Sequence, residues 1–149
     1  MTYMRLQGGV LFLVAVMDWC RRYVLSWAVS STMDVDFGLA ALEHAWEVAR
    51  PELCHSDQGA QVTSLDFTGR LVAAGMQMSM DGRGRARDHV WIARLWRTVQ
   101  YEEVSMKDDE TPREALPGLA QFFVRDNEWR QHQALGYQTP AAVYCSSYV

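Results

Sequence analysis

The chain has 149 residues, of which 49% are hydrophobic, and a net charge of −4. This balance predicts one globular domain with its own core and excludes a chain that is basic throughout. The longest apolar run, residues 10–17, has eight residues against the roughly 20 that cross a bilayer, so we expect a cytoplasmic protein without membrane span or signal peptide. Cys20, Cys54 and Cys145 lack metal-ligand spacing and are predicted to be buried free thiols.

Three strands are predicted at the start of the chain. Residues 2–6 and the apolar run at residues 10–17 flank a Gly8-Gly9 turn, and residues 23–30 alternate larger apolar side chains with smaller or polar ones. Hairpin-linked strands pair in antiparallel fashion, so these three form a meander.

Helical periodicity begins after Thr32, which is predicted to be the N-cap of a helix that ends before Pro51. A short strand at residues 52–55 follows this crossover. Ser64 is predicted to cap a helix over residues 65–74 that ends at Gly75, and residues 76–80 form another short strand. The crossover predicts a parallel strand, and therefore an α/β fold with a mixed sheet and helices on its faces.

The C-terminal half is predicted to be mainly helical. A Gly/Arg-rich loop at residues 81–87 precedes a helix over residues 89–103, and a further helix fits residues 113–129, although Pro117 interrupts or delays it. Residues 130–144 form a turn-rich tail. The tryptophans at helical spacing, Trp46, Trp91 and Trp96, are predicted to lie in the core.

Asp57 comes just after the carboxyl end of a predicted strand, where open α/β sheets usually place their chemistry. Thirty-five residues separate it from Ala93 on a predicted helix. Between Asp81 and Tyr101 there are five arginines and two aspartates, so this segment is locally basic although the chain is acidic.

Five groups of residues carry a family resemblance. They are Ser56-Asp57-Gln58-Gly59, Asp81-Gly82-Arg83-Gly84, Arg94-Leu95-Trp96-Arg97 with Tyr101-Glu102-Glu103, His132 to Tyr137 followed by Thr139-Pro140, and the upstream residues 11–18 with 21–27. Taken in chain order, these groups resemble the motifs of the catalytic domain of bacterial insertion-sequence transposases, which are relatives of retroviral integrase. The resemblance covers essentially the whole chain.

The resemblance implies a ribonuclease-H-like three-layer fold: a mixed five-stranded sheet with helices on both faces, its first strand truncated at Met1. Residues 1–149 would then be the catalytic core, without an N-terminal DNA-binding region. It also implies DNA transposition by metal-dependent phosphodiester cleavage and strand transfer. Two aspartates and a glutamate hold two Mg²⁺ or Mn²⁺ ions in such a site, because hard divalent ions prefer carboxylate oxygens.

Of that acidic triad only Asp57 is present in this sequence. By the resemblance, it is the one acidic residue with a catalytic and metal-binding role. The first aspartate would fall one residue before Met1, and Ala93 occupies the glutamate position. On an ideal helix Asp88 and Glu102 lie about 140° and 180° round from position 93, so neither faces the site. His89 shares that face but is a poor ligand for Mg²⁺. Metal binding is therefore expected to be weak or absent.

The resemblance also implies contacts with DNA at the element ends and the target. The predicted DNA-binding residues are Arg83, Arg85, Arg87, Arg94, Arg97 and Gln100, the last standing where the family has a lysine. The arginines of the loop could equally form a solvated loop with no partner. Asp18, in the turn after the second strand, is interpreted as structural rather than as a metal ligand.

Three functions remain open from the sequence. The first is a transposase core by descent that is inactive in this copy. The second is a non-catalytic binding or regulatory module that associates with intact transposase, with itself as a homo-oligomer, or with element-end DNA. The third is a working nuclease or recombinase with a rearranged site.

Overall fold

The computed structural model of this protein describes residues 1–56, 64–80, 90–104 and 111–147. Within these ranges the strands are β1 (Thr2–Leu6), β2 (Gly9–Met17), β3 (Val24–Ser30), β4 (Leu53–Ser56) and β5 (Gln77–Met80). The α-helices are α1 (Val35–Val48), α2 (Leu65–Ala73), α3 (Val90–Val99), α4 (Pro112–Glu128) and α5 (Pro140–Ser146). A π-helical turn, Gln100–Val104, continues α3, and a 3₁₀ turn, Gln133–Leu135, precedes α5.

The first three strands form the predicted antiparallel meander in the order β1-β2-β3. Alternate side chains of β2 point to opposite faces of this sheet, so Leu11 and Leu13 are buried on one side while Val16 packs on the other. The sheet can therefore take helices on both faces.

The five predicted strands are present, but the described residues hydrogen-bond as two sheets rather than one. Strands β4 and β5 pair in parallel with each other, with Ser56 opposite Met80, and not with the meander. The reason is that β1 has only five residues, which pair with the first half of β2 as far as Leu13. No described strand then bridges the second half of β2 and β4.

Two hydrophobic clusters lie on the two sides of the meander. The first joins the sheet to α3 and α4 and includes Leu13, Val99 and the fully buried Phe122. The second joins α1 and α2 to both sheets, because Val16 of β2 and Cys54 of β4 pack against the same group of buried residues. Side-chain packing thus links the two sheets, and the layer order is helix, sheet, helix.

Most predicted elements are confirmed, and three local predictions are wrong. The N-cap of α1 is Asp34 rather than Thr32, whose hydroxyl instead donates to the Asp34 carboxylate. Pro117 does not interrupt α4, because it lies near the amino end, where the lost backbone donor leaves most of the helix intact. The predicted tail contains α5, for which Thr139 accepts a capping hydrogen bond from Ala142 N.

Of the smaller predictions, some are likewise confirmed and others are wrong. Asp18 is structural as predicted, since its carboxylate binds both the backbone N–H and the guanidinium of Arg21 within the turn. All three cysteines are free, but Cys20 and Cys145 are exposed rather than buried because they lie in a turn and at the carboxyl end of α5. The helices described here include none long and apolar enough to cross a membrane.

Candidate functional site

Helix α3 presents one face to the core and the other to solvent. Leu95 and Val99 are buried in the first cluster, whereas Ala93, Arg94 and Arg97 are exposed. This division follows from the sequence, because apolar residues recur every three or four positions along the helix. Ala93, predicted from the sequence to stand at the family's glutamate position, therefore points outward with a methyl group as its side chain.

Strand β4 ends at Ser56, and Asp57 is the next residue in the sequence. Asp57 itself lies outside the described residues, as do Arg83, Arg85 and Arg87, and so do the alternative ligands Asp88 and His89. Strands β4 and β5 are parallel, so their carboxyl ends are at the same edge of their sheet.

The donor set of the described residues does not fit a site for two divalent metal ions. The side chain at position 93 has no oxygen, and the described ranges contain no group of three His, Cys, Asp or Glu side chains that could hold a metal. Glu102, the nearest carboxylate in sequence on the described part of the chain, is already paired. One of its oxygens lies 2.9 Å from Arg125 and the other 2.6 Å from Arg130.

Gln100, a predicted DNA contact, is placed differently from the two arginines before it. Its side-chain amide donates a 2.6 Å hydrogen bond to the backbone carbonyl of Tyr3, which ties the end of α3 to β1. Arg94 and Arg97 remain on the exposed face.

Next to this face, α3 borders an open pocket of about 470 Å³. We call it the arginine pocket. Its walls come from the end of β2, the turn that follows, α3, the end of α4 and the segment around the 3₁₀ turn. The lining residues that carry charge, can gain one or stack are Arg22, Trp91, Arg94, Arg97, Asp126, Arg130 and His132.

Trp91 was predicted to lie in the core, and this prediction is wrong. Its ring is half-buried in the arginine pocket, where the guanidinium carbon of Arg22 lies 3.4 Å and that of Arg94 5.0 Å from its centroid. Both distances are in the range of cation–π interactions. Helical spacing did not separate this residue from Trp96, which does pack against the first cluster.

Burial changes the ionisation of two groups in this pocket. It raises the pKa of the Asp126 carboxyl, although Arg130, with Nε 2.7 Å from Oδ1, acts in the opposite direction. It lowers the pKa of His132, against the pull of Asp126 and with the help of Arg130 and Arg22. At neutral pH the pocket therefore holds a neutral imidazole among four guanidinium groups.

Comparison with known proteins decides the family. A profile described as integrase core domain matches residues 1–86, and a second profile with the same description matches residues 74–140. The chain belongs to the integrase core domain family. Within it, the chain is similar to bacterial insertion-sequence transposases, as the sequence motifs predicted.

Two of these relatives show the extent of the match. The chain is 37% identical over 142 residues to the transposase for insertion sequence element IS629 of Shigella sonnei, covering 94% of this chain and 48% of that protein. It is 28% identical over 144 residues to the transposase for IS904 of Lactococcus lactis subsp. lactis, covering 94% and 57%. The integrase-core chain thus spans about half the length of the curated relatives it matches.

Solved structures show the same fold. The catalytic core domain of BIV integrase superposes with a TM-score of 0.75 at 15% identity, covering 99% of this chain and 92% of that one. The HTLV-2 integrase catalytic core in complex with magnesium gives a TM-score of 0.71 at 12% identity, covering 94% and 88%. These matches confirm the predicted ribonuclease-H-like fold class.

The arginine pocket is the part of this surface that sequence reasoning missed. Arg22 is far in the sequence from Arg130 and His132, and the three come together only when α4 packs on the sheet. The basic segment around α3 was visible as a cluster of arginines, but it gave no sign that residues from three other segments surround it.

Proposed function

We propose that this integrase-core chain is the core of an insertion-sequence transposase that does not catalyse strand transfer. The observation that carries the proposal is Ala93, an exposed methyl group on α3 that is separated from Asp57 by 35 residues. Two divalent ions on a phosphodiester require several carboxylate oxygens, both as ligands and to offset the positive charge. A site with Asp57 as its one family carboxylate would bind Mg²⁺ or Mn²⁺ weakly or not at all.

The surroundings of Ala93 support this reading. Glu102 is held by Arg125 and Arg130, so recruiting it as a ligand would break two ion pairs. Gln100, which lies two turns after Ala93, is bonded to Tyr3 and carries no charge for a DNA phosphate.

The decisive experiment is 3′-end cleavage and strand transfer on duplex DNA carrying the ends of the element, with Mn²⁺ as the metal. The expected result is no product from this chain. A chain with Ala93→Glu and one aspartate added directly before Met1 is expected to bind Mn²⁺ more tightly and to form product. Activity of the unmodified chain that disappears in Asp57→Ala would show that the site works without the other two carboxylates.

A second candidate function is a regulatory module that binds DNA or intact transposase without cutting. The observation in its favour is that Arg94 and Arg97 are exposed side by side on an ordered helix, with no ion-pair partner within the described ranges. With the loop arginines 83, 85 and 87, they would neutralise DNA phosphates. This function predicts salt-dependent DNA binding that weakens in Arg97→Gln, and inhibition of an active relative when the two proteins are mixed.

A further inference from the structure

The arginine pocket combines an excess of positive charge with recessed donors. Four arginines line it, against the single lining carboxylate of Asp126. Arg130 is paired with Asp126 and with Glu102, which leaves Arg22, Arg94 and Arg97 as the excess positive charge. The net charge of the whole chain is −4, so this concentration of positive charge does not follow from composition. Like charges placed together inside a partly desolvated pocket repel one another, and an anion between them would relieve the repulsion.

Two buried nitrogen atoms in the pocket have neither a hydrogen-bond nor an ion-pair partner in the described part of the chain. They are Nε of Arg22, which is a donor, and Nε2 of His132, which donates when the neutral imidazole carries its proton there. A buried nitrogen without an acceptor costs more than an exposed one, because it has lost its water without gaining a bond. Both residues line the same pocket, so one bound group could accept hydrogen bonds from both sides.

The guanidinium of Arg22 is held in place before any ligand arrives. One terminal nitrogen donates a 2.6 Å hydrogen bond to the backbone carbonyl of Trp19, and the ring of Trp91 lies against its carbon atom. The backbone of Arg22 has a φ of +62°, a left-handed conformation that residues other than glycine adopt rarely. Backbone conformations of this kind persist when surrounding contacts hold them, and they are found most often at functional sites.

We propose that the arginine pocket binds a phosphate group. Guanidinium groups present pairs of N–H donors that match phosphate oxygens, and the lining donors come from the β2–β3 turn, α3, the end of α4 and the segment after it. A tetrahedral phosphate can accept hydrogen bonds from all of these, whereas a planar carboxylate can use only those near its plane. The pocket lies beside the face of α3 that carries Ala93 and uses none of the family's acidic positions.

A phosphate group can come from two sources, a free phosphate or phosphate ester and the backbone of DNA. The chemistry of recognition is the same for both, and Arg97, which lines the pocket, is exposed to solvent. The proposal does not depend on catalysis, so it can fail or succeed independently of the proposed transposase function.

The test is calorimetric titration of the full chain with inorganic phosphate, at constant ionic strength and with chloride as the reference anion. The expected result is one site per chain whose affinity falls at least tenfold in Arg94→Gln. The matched control is Arg113→Gln, which removes one exposed arginine of α4 outside the pocket and is expected to change the affinity less than twofold. The side chain of Arg94 lies outside the core, so its loss should not unfold the protein, and a circular dichroism melt checks this.

The same variants, titrated with a short duplex DNA, separate the two sources. If DNA displaces phosphate and also binds at least tenfold more weakly to Arg94→Gln, the site takes a backbone phosphate. If DNA binding is unchanged while phosphate binding is lost, it takes a free phosphate or phosphate ester. Two results would overturn the proposal: a titration with phosphate that gives no more heat than one with chloride, or a phosphate affinity that falls equally in Arg94→Gln and Arg113→Gln. Either result would show that water and counter-ions satisfy these arginines.

Discussion

The side chain of Asn127 makes two hydrogen bonds with the backbone of Val24, and both residues are buried. Its Oδ1 accepts from the Val24 N–H at 2.9 Å, and its Nδ2 donates to the Val24 carbonyl at 3.0 Å. Val24 is the first residue of β3, and Asn127 lies near the end of α4. One amide thus completes the backbone hydrogen bonding of a strand end and fixes the position of the helix on the sheet.

Replacing Asn127 with alanine should therefore cost about 2–4 kcal/mol in the free energy of unfolding. Both backbone groups of Val24 would lose their partners inside the protein, at about 1–3 kcal/mol for each group. Urea unfolding followed by circular dichroism measures the loss. The neighbouring Glu128→Ala changes an exposed side chain and should stay within about 0.5 kcal/mol. Equal effects of the two substitutions would mean that the amide bonds contribute nothing.

Pro117→Ala is expected to stabilise the protein. Pro117 is exposed within α4 and has no N–H to give to the carbonyl of Arg113. Alanine would restore this hydrogen bond, and the gain should be roughly 1–3 kcal/mol, since proline in a helix interior is about 3 kcal/mol less favourable than alanine. The melting temperature should rise.

Pro112→Ala provides the matched control, because Pro112 is in the first turn of the same helix, where the missing donor would have no partner. This substitution should give no gain. A melting temperature that falls in Pro117→Ala would show that the ring itself is needed for packing.

Gln100→Ala should lower the free energy of unfolding by about 0.5–1.5 kcal/mol, the usual net contribution of one hydrogen bond. The bond to Tyr3 joins the end of α3 to β1, so hydrogen exchange at the amides of β1 should also become faster. Gln121→Ala, an exposed change on α4, is the control and should leave both quantities unchanged. Exchange in β1 that does not respond would indicate that β2 alone holds this strand.

His132 should make the protein less stable as the pH falls below about 6.5. Burial is the main cause that lowers its pKa in the folded state from the ordinary value of 6.5. Between the folded and unfolded pKa values the unfolded chain binds more protons, so stability increases with pH across this window and is lost on acidification. His132→Gln should remove part of that loss.

The measurement for His132 is the free energy of unfolding at several pH values from 7.5 to 5.0, in buffers without phosphate. The exposed His44→Gln serves as the control and should keep the pH dependence of the parent chain. If both variants retain the same acid sensitivity, other groups are responsible for it.

The fold was largely predictable from the sequence because its signals are local. The apolar run of β2 and the cap at Ser64, which accepts a 3.2 Å hydrogen bond from Phe67 N, were recognised from short stretches. The helix α5 was missed, although Thr139-Pro140 is a good start signal, because the segment before it is rich in turn-forming residues.

The site was predictable only where family motifs cover it. Ala93 lies on a helix as predicted, while Trp91 two residues earlier was assigned to the core because its apolar ring fits the same period. Arg22 and His132 gave no local signal, since what makes them notable is burial without a hydrogen-bond partner. Such a property depends on tertiary packing and cannot be read from neighbours in the sequence.

The two hydrophobic clusters have a mechanical consequence. Ala93 lies on α3, which packs in the first cluster. Strand β4, which is followed in the sequence by Asp57, packs through Cys54 against the second. The relative position of α3 and β4 therefore depends on how the two clusters pack on the two faces of the meander, and Val16 of β2 packs against the second. A larger side chain at position 16 would press on the cluster that holds β4 without contacting α3. A carboxylate restored at position 93 would thus depend on packing far from it, as well as on its own chemistry.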